Sequence, residues 1–221
     1  YLSKWRDVQR LVNLTYPAPN PFIPSDFSLK ASATEDLNVY PEGPILIDEE
    51  PKWRVHHKQD RRYGKPKAYA YFNLKQPNSI FGTSTSPRTS ALAKLFKASL
   101  GDALTEYTYD AAIAGLGCSL DFTPKAARLT FSGYNDKLPA FVDSIASAIV
   151  SHRPDDEEKL ARYKDQLRRE LSTFYRQQPY QHAAFFTQLY TQTPAFLPDA
   201  VLKEIDAVTL EDIRQFASTL W

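Results

Sequence analysis

Methionine is absent from this sequence, and cysteine, glycine and histidine are rare. Cys118 is the only cysteine, so the chain can form neither an internal disulfide nor a zinc cluster built on thiolates. We expect a small buried thiol there, and a lone cysteine favours a reducing compartment such as the cytoplasm. Gly115 and Gly117 are the only closely spaced glycines, and they lack the third glycine of a dinucleotide-binding loop.

Long apolar runs and a large net charge are missing too. No stretch approaches the roughly 18 consecutive apolar residues of a membrane span, and the first residues lack the apolar segment of a signal peptide. The 27 lysines and arginines nearly balance the 26 acids, so no long-range field draws the whole chain to nucleic acid or to an anionic membrane. We therefore expect a soluble protein without a nucleic-acid or membrane partner.

Only four histidines are available to build a zinc site. A catalytic zinc ion usually takes three side-chain ligands, yet no two of these histidines have the spacing of ligands on one helix. His56 and His57 are neighbours on a predicted strand and would point to opposite faces. His152 follows a predicted helix, where we expect it to interact with the last carbonyls. No Gly-x-Ser-x-Gly elbow is present either, so we expect no catalytic residue, metal ligand or cofactor within this chain.

Hydrophobic periodicity predicts an α+β fold. Alternation with a period of two indicates strands, and apolar residues at three-and-four spacing indicate helices. The predicted strands are Ile45 to Ile47, Lys52 to Lys58, Lys67 to Lys75, Leu120 to Thr123 and Ala127 to Gly133. The predicted helices cover residues 86–114, 138–149, 160–174, 181–190, 199–205 and 210–220. This order suits an antiparallel β-sheet with helices packed on one face.

A proline-rich arm precedes these elements. Four prolines lie between Tyr16 and Phe27, and because proline removes backbone donors and disfavours helix, this stretch is predicted to run extended. The apolar side chains between the prolines indicate that the arm docks on a surface instead of hanging free. We assign residues 1–44 to the arm, which begins with a predicted helix at Leu2 to Val12, and residues 45–221 to the folded domain.

One basic segment stands out, from Lys52 to Lys67. It holds seven lysines and arginines and two histidines against one acid, whereas residues 31–51 hold six acids and no lysine or arginine. The segment is either a solvated hairpin that its acidic neighbour neutralises, or a surface that contacts acidic peptides or polyanions. We name the candidate contact residues the basic lip. They are Arg54, Lys58, Arg61, Arg62 and Lys65.

A second candidate surface lies where one helix breaks and another begins, within residues 176–183. Pro179 causes the break. One interpretation is a capped corner in which Gln178 and His182 hydrogen-bond inside the protein. The other is a contact with a neighbouring domain through Gln178, Tyr180 and His182.

Four segments stand out when they are taken together, namely residues 19–27 (PNPFIPSDF), 106–116 (EYTYDAAIAGL), 132–139 (SGYNDKLP) and 178–183 (QPYQHA). As a set they resemble the insulinase or pitrilysin family of zinc peptidases. They occur in the order expected for the third of the family's four homologous domains. The resemblance implies a parent chain of two halves that enclose a chamber, with zinc bound by a His-x-x-Glu-His motif in the first domain and water activated by its glutamate.

The same resemblance implies that this domain is catalytically silent. Residues 90–104, on the helix that should correspond to the zinc-binding helix, contain no histidine and no glutamate. The resemblance makes Tyr134 and Asn135, like the helix corner, candidate chamber or domain contacts. In the family another strand follows the last helix, so with its end at Trp221 this chain is expected to lack a final strand and to expose a sheet edge.

Two functions follow from these observations. The first is a non-catalytic middle domain of an insulin-degrading-enzyme-like zinc metalloendopeptidase, which forms part of the chamber and the contact between halves. Its partners would be the other domains of the same chain and peptide substrates. The alternative is a stand-alone scaffold or binding subunit, like the non-catalytic homologues of processing peptidases. In both cases the isolated chain is expected to be inactive.

Charge reversal tests the basic lip. Replacing Arg61, Arg62 and Lys65 with glutamate should weaken binding of an acidic peptide by about tenfold at low salt, because each exposed ion pair contributes up to about 1 kcal/mol. Titration of a labelled acidic peptide at two salt concentrations measures this. Unchanged affinity at low salt would exclude the basic lip as a binding surface.

Overall fold

The structure, a computed structural model, describes residues 16, 18–30, 43–60, 63–75, 85–123, 126–192 and 195–220. The predicted helix at Leu2 to Val12 lies outside these residues. Strands and helices occur in the predicted order, and most ends fall within a few residues of the predicted ones. The strands are β1 (Ile45–Glu50), β2 (Trp53–His57), β3 (Lys67–Leu74), β4 (Gly117–Thr123) and β5 (Ala126–Tyr134). The helices are α1 (Pro87–Ile113), α2 (Leu138–Ser151), α3 (Glu157–Ser172), α4 (Pro179–Thr191), α5 (Pro198–Ile205) and α6 (Leu210–Leu220).

The α+β prediction is confirmed, but the strands form two antiparallel sheets instead of one. β5 is the central strand of a three-stranded sheet with the order β3-β5-β4. β1 and β2 pair only with each other, as a separate hairpin. Helices cover one face of the three-stranded sheet, as expected, whereas the residues of β1 and β2 are all exposed.

The core of the domain lies between the three-stranded sheet and the helices. Phe131 on β5 is almost fully buried and stands opposite Ala70 on β3 and Cys118 on β4. The half-buried thiol of Cys118 has a pKa raised by burial, so it stays protonated and behaves as the small apolar group that we expected. The alternating pattern thus puts small and apolar residues of all three strands under the helices.

The long helix α1 has clear start and stop signals. The hydroxyl of Ser86 accepts a hydrogen bond from the backbone N–H of Thr89 at 3.1 Å, and Pro87 occupies the first helical turn, both of which favour initiation. At the other end Gly115 has a φ of +80°. The N–H of Leu116 bonds the carbonyl of Ala111 at 2.9 Å, which is the closing bond of a Schellman motif.

The backbone at Gly133 lies very close to Gly115 and Leu116, which follow the end of α1. Gly133 has a φ of +145°. A Cβ atom at this position would lie 2.5 Å from Cδ2 of Leu116 and 2.8 Å from the carbonyl oxygen of Gly115. Glycine is therefore required here both for the backbone conformation and for the packing of β5 on the end of α1.

The C-terminal helices differ in how they attach to the core. α5 and α6 bury an apolar stripe, with Ile205 and Ile213 fully enclosed, whereas α4 has no buried residue. The ring of Phe185 on α4 contacts Phe174 at a centroid distance of 4.7 Å. α4 is therefore a peripheral helix with most of its surface open.

No helix in the described ranges is both long and apolar enough to cross a membrane.

The proline-rich arm is docked on the domain, as its apolar residues predicted. Phe22 is only 6% exposed, and its ring meets those of Tyr107 on α1 and Phe141 on α2 edge-on, at 5.1 Å and 5.6 Å. Asn20 Nδ2 donates to the carbonyl of Asp110 at 2.7 Å. The arm thus packs across the junction of α1 and α2.

Further along the arm, the carboxylate of Asp136 holds the backbone. Its Oδ2 atom accepts hydrogen bonds from the N–H of Ser25 at 2.8 Å, from the N–H of Asp26 at 3.2 Å and from the Ser25 hydroxyl at 3.2 Å. These hydrogen bonds lower the pKa of Asp136, since each donor favours the ionised carboxylate. The turn between β5 and α2 therefore anchors the arm through one charged group.

Truncation of Phe22 tests how much the docked arm stabilises the domain. Phe22→Ala should lower the free energy of unfolding by about 3 kcal/mol, because it leaves a cavity between Tyr107 and Phe141. Ile23→Ala is the matched control, since Ile23 is the next residue and is 61% exposed; it should cost less than about 0.5 kcal/mol. Urea denaturation of the two variants measures both values, and equal costs would contradict a docked arm.

The Asp136 anchor should release in acid. Because folding lowers the pKa of Asp136, its stabilisation is complete above the ordinary aspartate pKa of about 3.9 and is lost as the pH falls through the lower, folded value. The amide proton shifts of Ser25 and Asp26, followed by NMR from pH 7 to pH 2, should report this loss.

Asp136→Asn is the control for this titration, because an asparagine can accept a hydrogen bond but does not ionise. Asp26 itself titrates with a pKa of about 2, so the variant separates the two carboxylates. Identical acid transitions in the variant and the parent sequence would show that Asp136 is not the anchor.

Candidate contact surfaces

Among the described residues, no group of three or more histidine, cysteine, aspartate or glutamate side chains could hold a metal ion. His56 and His57 are adjacent and exposed on β2, while His152 follows α2 and His182 lies on α4. The fold therefore leaves these histidines distributed over three elements.

His152 has a different partner from the one expected. Its Nε2 atom lies 2.9 Å from the hydroxyl of Ser99 on α1, while Arg153 Nη1 donates to the carbonyls of Val150 and His152. Burial and the nearby Arg153 guanidinium hold the pKa of His152 below its ordinary value. The expectation that His152 caps the helix carbonyls is therefore wrong. The imidazole instead links the end of α2 to the middle of α1.

Near this pair, a cleft of about 200 Å³ opens between α1 and α3. The carboxylate of Asp102 accepts hydrogen bonds from the Tyr163 hydroxyl at 2.8 Å and from Lys159 Nζ at 3.1 Å. Both hydrogen bonds lower the pKa of Asp102, the one from Tyr163 most. Because the carboxylate already has these partners, we interpret the cluster as a polar link between two helices and not as a ligand site.

The basic lip is partly neutralised by its acidic neighbour. Arg54 on β2 stands opposite Glu49 on β1 and forms an ion pair with it. Lys58 and Lys65 are exposed in the chain that leads from β2 to β3, and Arg61 and Arg62 lie outside the described residues. The pairing of Arg54 supports the solvated-hairpin interpretation at that position. The contact role of the basic lip stays a prediction.

Tyr134 and Asn135 contact the arm. The ring of Tyr134 packs edge-on against Phe27 at 5.5 Å, and Lys67 Nζ lies 5.0 Å from the centre of the same ring. Asn135 Nδ2 donates to the carbonyl of Ser28 at 3.4 Å. Both residues therefore join the domain to the arm within this chain, next to the Asp136 anchor.

The helix corner at Gln178 is capped but not buried. The N–H of Gln178 donates to Oε1 of Gln181 at 3.0 Å, and Gln178 itself is exposed. His182 is half-buried, with its ring edge-on to Phe174 at 4.9 Å. Tyr180 is exposed. The interpretation in which Gln178 is hydrogen-bonded inside the protein is therefore wrong, because Gln178 is exposed. The exposed side chain of Tyr180 is available for contact with a neighbouring domain.

The sequence did not identify a further candidate surface. It is the face of the three-stranded sheet that points away from the helices. We call it the open face. Tyr69 and Tyr71 on β3 are 67% and 64% exposed, and their rings stack with centroids 6.5 Å apart. They stand opposite Ser132 and Thr130 on β5. Alternation with Ala68 and Ala70 was the available signal, but it showed two faces without showing which one the helices would leave open.

The sequence of this chain is similar to part of several longer known proteins. The chain is 29% identical over 221 residues to insulin-degrading enzyme-like 1, peroxisomal, of Arabidopsis thaliana, and the alignment covers 99% of this chain and 22% of that protein. It is 29% identical over 219 residues to human insulin-degrading enzyme, with coverage of 99% and 21%. The chain thus spans about a fifth of the length of the curated relatives that it matches.

The fold has a counterpart among solved structures. The crystal structure of pitrilysin superposes with a TM-score of 0.81 at 24% identity, and the match covers 94% of this chain and 21% of that one. The family described as the middle or third domain of peptidase M16 matches residues 1–204. This chain therefore belongs to the M16 peptidase family, in which it is a middle domain.

Proposed function

We propose that this chain is the non-catalytic middle domain of an insulin-degrading-enzyme-like zinc metalloendopeptidase. In the parent it forms part of the chamber that encloses a peptide and part of the contact between the two halves. The family match over residues 1–204 carries the proposal. Relatives named as insulin-degrading enzymes, of which the chain spans about a fifth, support it.

Zinc in this proposal belongs to another domain of the parent. The described residues of this chain do not fit a zinc ion, because His56 and His57 are adjacent on β2 and no group of three or more histidine, cysteine, aspartate or glutamate side chains comes together among the described residues. The parent cleaves peptides with zinc-activated water in its first domain. The contribution of this chain is confinement of the substrate.

The open face is suited to a chamber wall. Stacked tyrosines present flat apolar rings together with hydroxyls, which can pack on side chains and hydrogen-bond to the backbone of a peptide. Ser132 and Thr130 add hydroxyl groups beside them. Because these rings and hydroxyls can contact the backbone and many kinds of side chain, the open face suits extended peptides of varied sequence.

The domain division and the compartment belong to the same proposal. The docking of residues 18–30 supports an arm that leads into a folded domain starting near Ile45. The lone cysteine supports a reducing compartment such as the cytoplasm. The name of one relative, insulin-degrading enzyme-like 1 of Arabidopsis thaliana, describes that protein as peroxisomal.

Kinetics of the parent enzyme test this proposal. The double substitution Tyr69→Ala and Tyr71→Ala in the full-length parent should raise KM for a long quenched peptide by about tenfold, since each aromatic contact contributes roughly 0.5–1.5 kcal/mol. The value of kcat and the zinc content should change little, because the substitutions remove binding and not chemistry.

Tyr190→Ala is the matched control, since Tyr190 is 86% exposed on the peripheral helix α4; its KM should stay unchanged. Cleavage by the full-length parent should be abolished by a chelator, and the 221-residue chain alone should show none. No chelator-sensitive cleavage by the parent would contradict the peptidase, and would favour the scaffold. Equal KM values for all variants would contradict the role of the open face.

A further inference from the structure

The connector between α2 and α3, residues 152–156, is fixed to the domain at two points. At its start, His152 Nε2 lies 2.9 Å from the hydroxyl of Ser99 on α1. Two residues later, the carbonyl of Pro154 accepts a hydrogen bond from Arg214 Nε on α6 at 2.8 Å. Because α2 ends immediately before His152, the side chain of His152 holds the end of that helix on α1.

The ring of His152 lies partly inside the domain. It packs against the ring of Phe96 with centroids 5.7 Å apart, and both Phe96 and Ser99 are buried. Among the described residues, Ser99 supplies the hydrogen bond of this ring. A neutral imidazole has one N–H donor and one acceptor, whereas a protonated imidazole has a charge and two donors. Protonation in this position therefore buries a charge that has too few partners.

The charged groups near the connector do not offset this penalty. Burial disfavours the charged form of His152 most, the Arg153 guanidinium disfavours it further, and the Asp155 carboxylate favours it to a smaller extent. From α6, Arg214 adds a second guanidinium at the connector, and it pairs with Glu211 at 3.7 Å. The pKa of His152 is therefore held below its ordinary value.

Most carboxylates that line the neighbouring cleft are already hydrogen-bonded. Asp102 on α1 accepts from the Tyr163 hydroxyl and from Lys159 Nζ of α3. Asp156 caps α3, because its Oδ1 atom accepts from the backbone N–H of Lys159 at 3.0 Å. Among the described residues, Asp155 is the carboxylate of this cleft that has no hydrogen bond. It is thus available to an imidazolium that turns into the cleft.

The cleft gives the ring of His152 a second position. It has a volume of about 200 Å³, and its walls include both His152 and Asp155. Since one water molecule takes about 30 Å³, the cleft has room for a turned imidazole together with water. The side chain therefore has a buried position against Ser99 that suits the neutral ring, and a hydrated position near Asp155 that suits the charged ring.

We propose that Ser99 and His152 form a pH-sensitive clasp, which holds the end of α2 on α1 at neutral pH and releases it when the imidazole is protonated. The released part is confined to the last turn of α2 and the start of the connector, because the Arg214–Pro154 hydrogen bond does not involve His152. The proposal does not depend on the peptidase activity of the parent.

The direction of the effect follows from the lowered pKa. The held position binds fewer protons than the released one, so it is fully favoured above the ordinary histidine pKa of about 6.5. As the pH falls below that value the release becomes more favourable, by about tenfold for each unit by which folding lowers the pKa of His152. Below the lowered pKa the effect stops growing, because both positions are then protonated.

Hydrogen–deuterium exchange of the full-length parent, followed by mass spectrometry, tests the clasp. Peptides that cover residues 146–153 should lose protection several-fold between about pH 7.5 and about pH 5.5 after correction for the intrinsic exchange rate, because the last turn of α2 is released. Peptides that cover residues 157–172 should keep their protection, since the cap of α3 and the Pro154 hydrogen bond remain.

Two histidine variants of the parent separate the clasp from other acid effects. His152→Gln should remove the pH dependence of residues 146–153, because the amide can still bond to the Ser99 hydroxyl but does not ionise. His182→Gln is the matched control, since His182 is also half-buried and packs on an aromatic ring, that of Phe174. This control should show the same pH dependence as the parent sequence.

A second measurement needs no substitution. Deuterium exchange at the imidazole Cε1–H of each histidine in the parent reports its pKa, and that of His152 should lie below the ordinary value of about 6.5. A value at or above 6.5 would overturn the proposal. So would an unchanged pH dependence in His152→Gln, which would assign the effect to another group. Equal loss of protection over residues 146–153 and 157–172 would also overturn it, because that result indicates general unfolding in acid.

Discussion

Phe141 joins three parts of the chain that are far apart in sequence. Its ring on α2 meets Phe22 of the arm at 5.6 Å, Phe131 of β5 at 6.1 Å and Tyr107 of α1 at 6.3 Å. Each such pair contributes about 0.5–1.5 kcal/mol beyond burial alone. Because the sheet, both helices and the arm all pack on one ring, the position of each depends on the others.

Around this junction the domain is closed on one side and open on the other. The helices cover the inner face of the three-stranded sheet, and fully buried side chains such as Phe96 and Ile145 fill that layer. Tyr69 and Tyr71 on the open face, the β1–β2 hairpin and helix α4 remain outside it. Such a division suits the proposed role, in which this domain contacts other domains of a longer parent chain.

Local signals predicted the elements of the fold well. Local patterns predicted all five strands, with clear alternation in β2 and β3. They also predicted a helix from residue 86, where the Ser86 cap and Pro87 start α1, because a cap and a proline act within one helical turn. Long-range pairing was not predictable in this way. The split into two sheets depends on which strands meet, and the Ser99–His152 bond joins residues 53 positions apart. Hydrophobic periodicity predicts neither the strand pairing nor this hydrogen bond.

The sequence by itself determined that the chain alternates strands and helices in an α+β order, that its proline-rich arm must dock, and, through four short segments, which family it resembles. Those properties depend on side-chain type and local spacing. Only the tertiary structure decided that Asp136 anchors the arm, that Glu49 neutralises Arg54, and that β1 and β2 pair with each other and not with the three-stranded sheet. Each of these results depends on strand register and on contacts between distant residues, which no local pattern encodes.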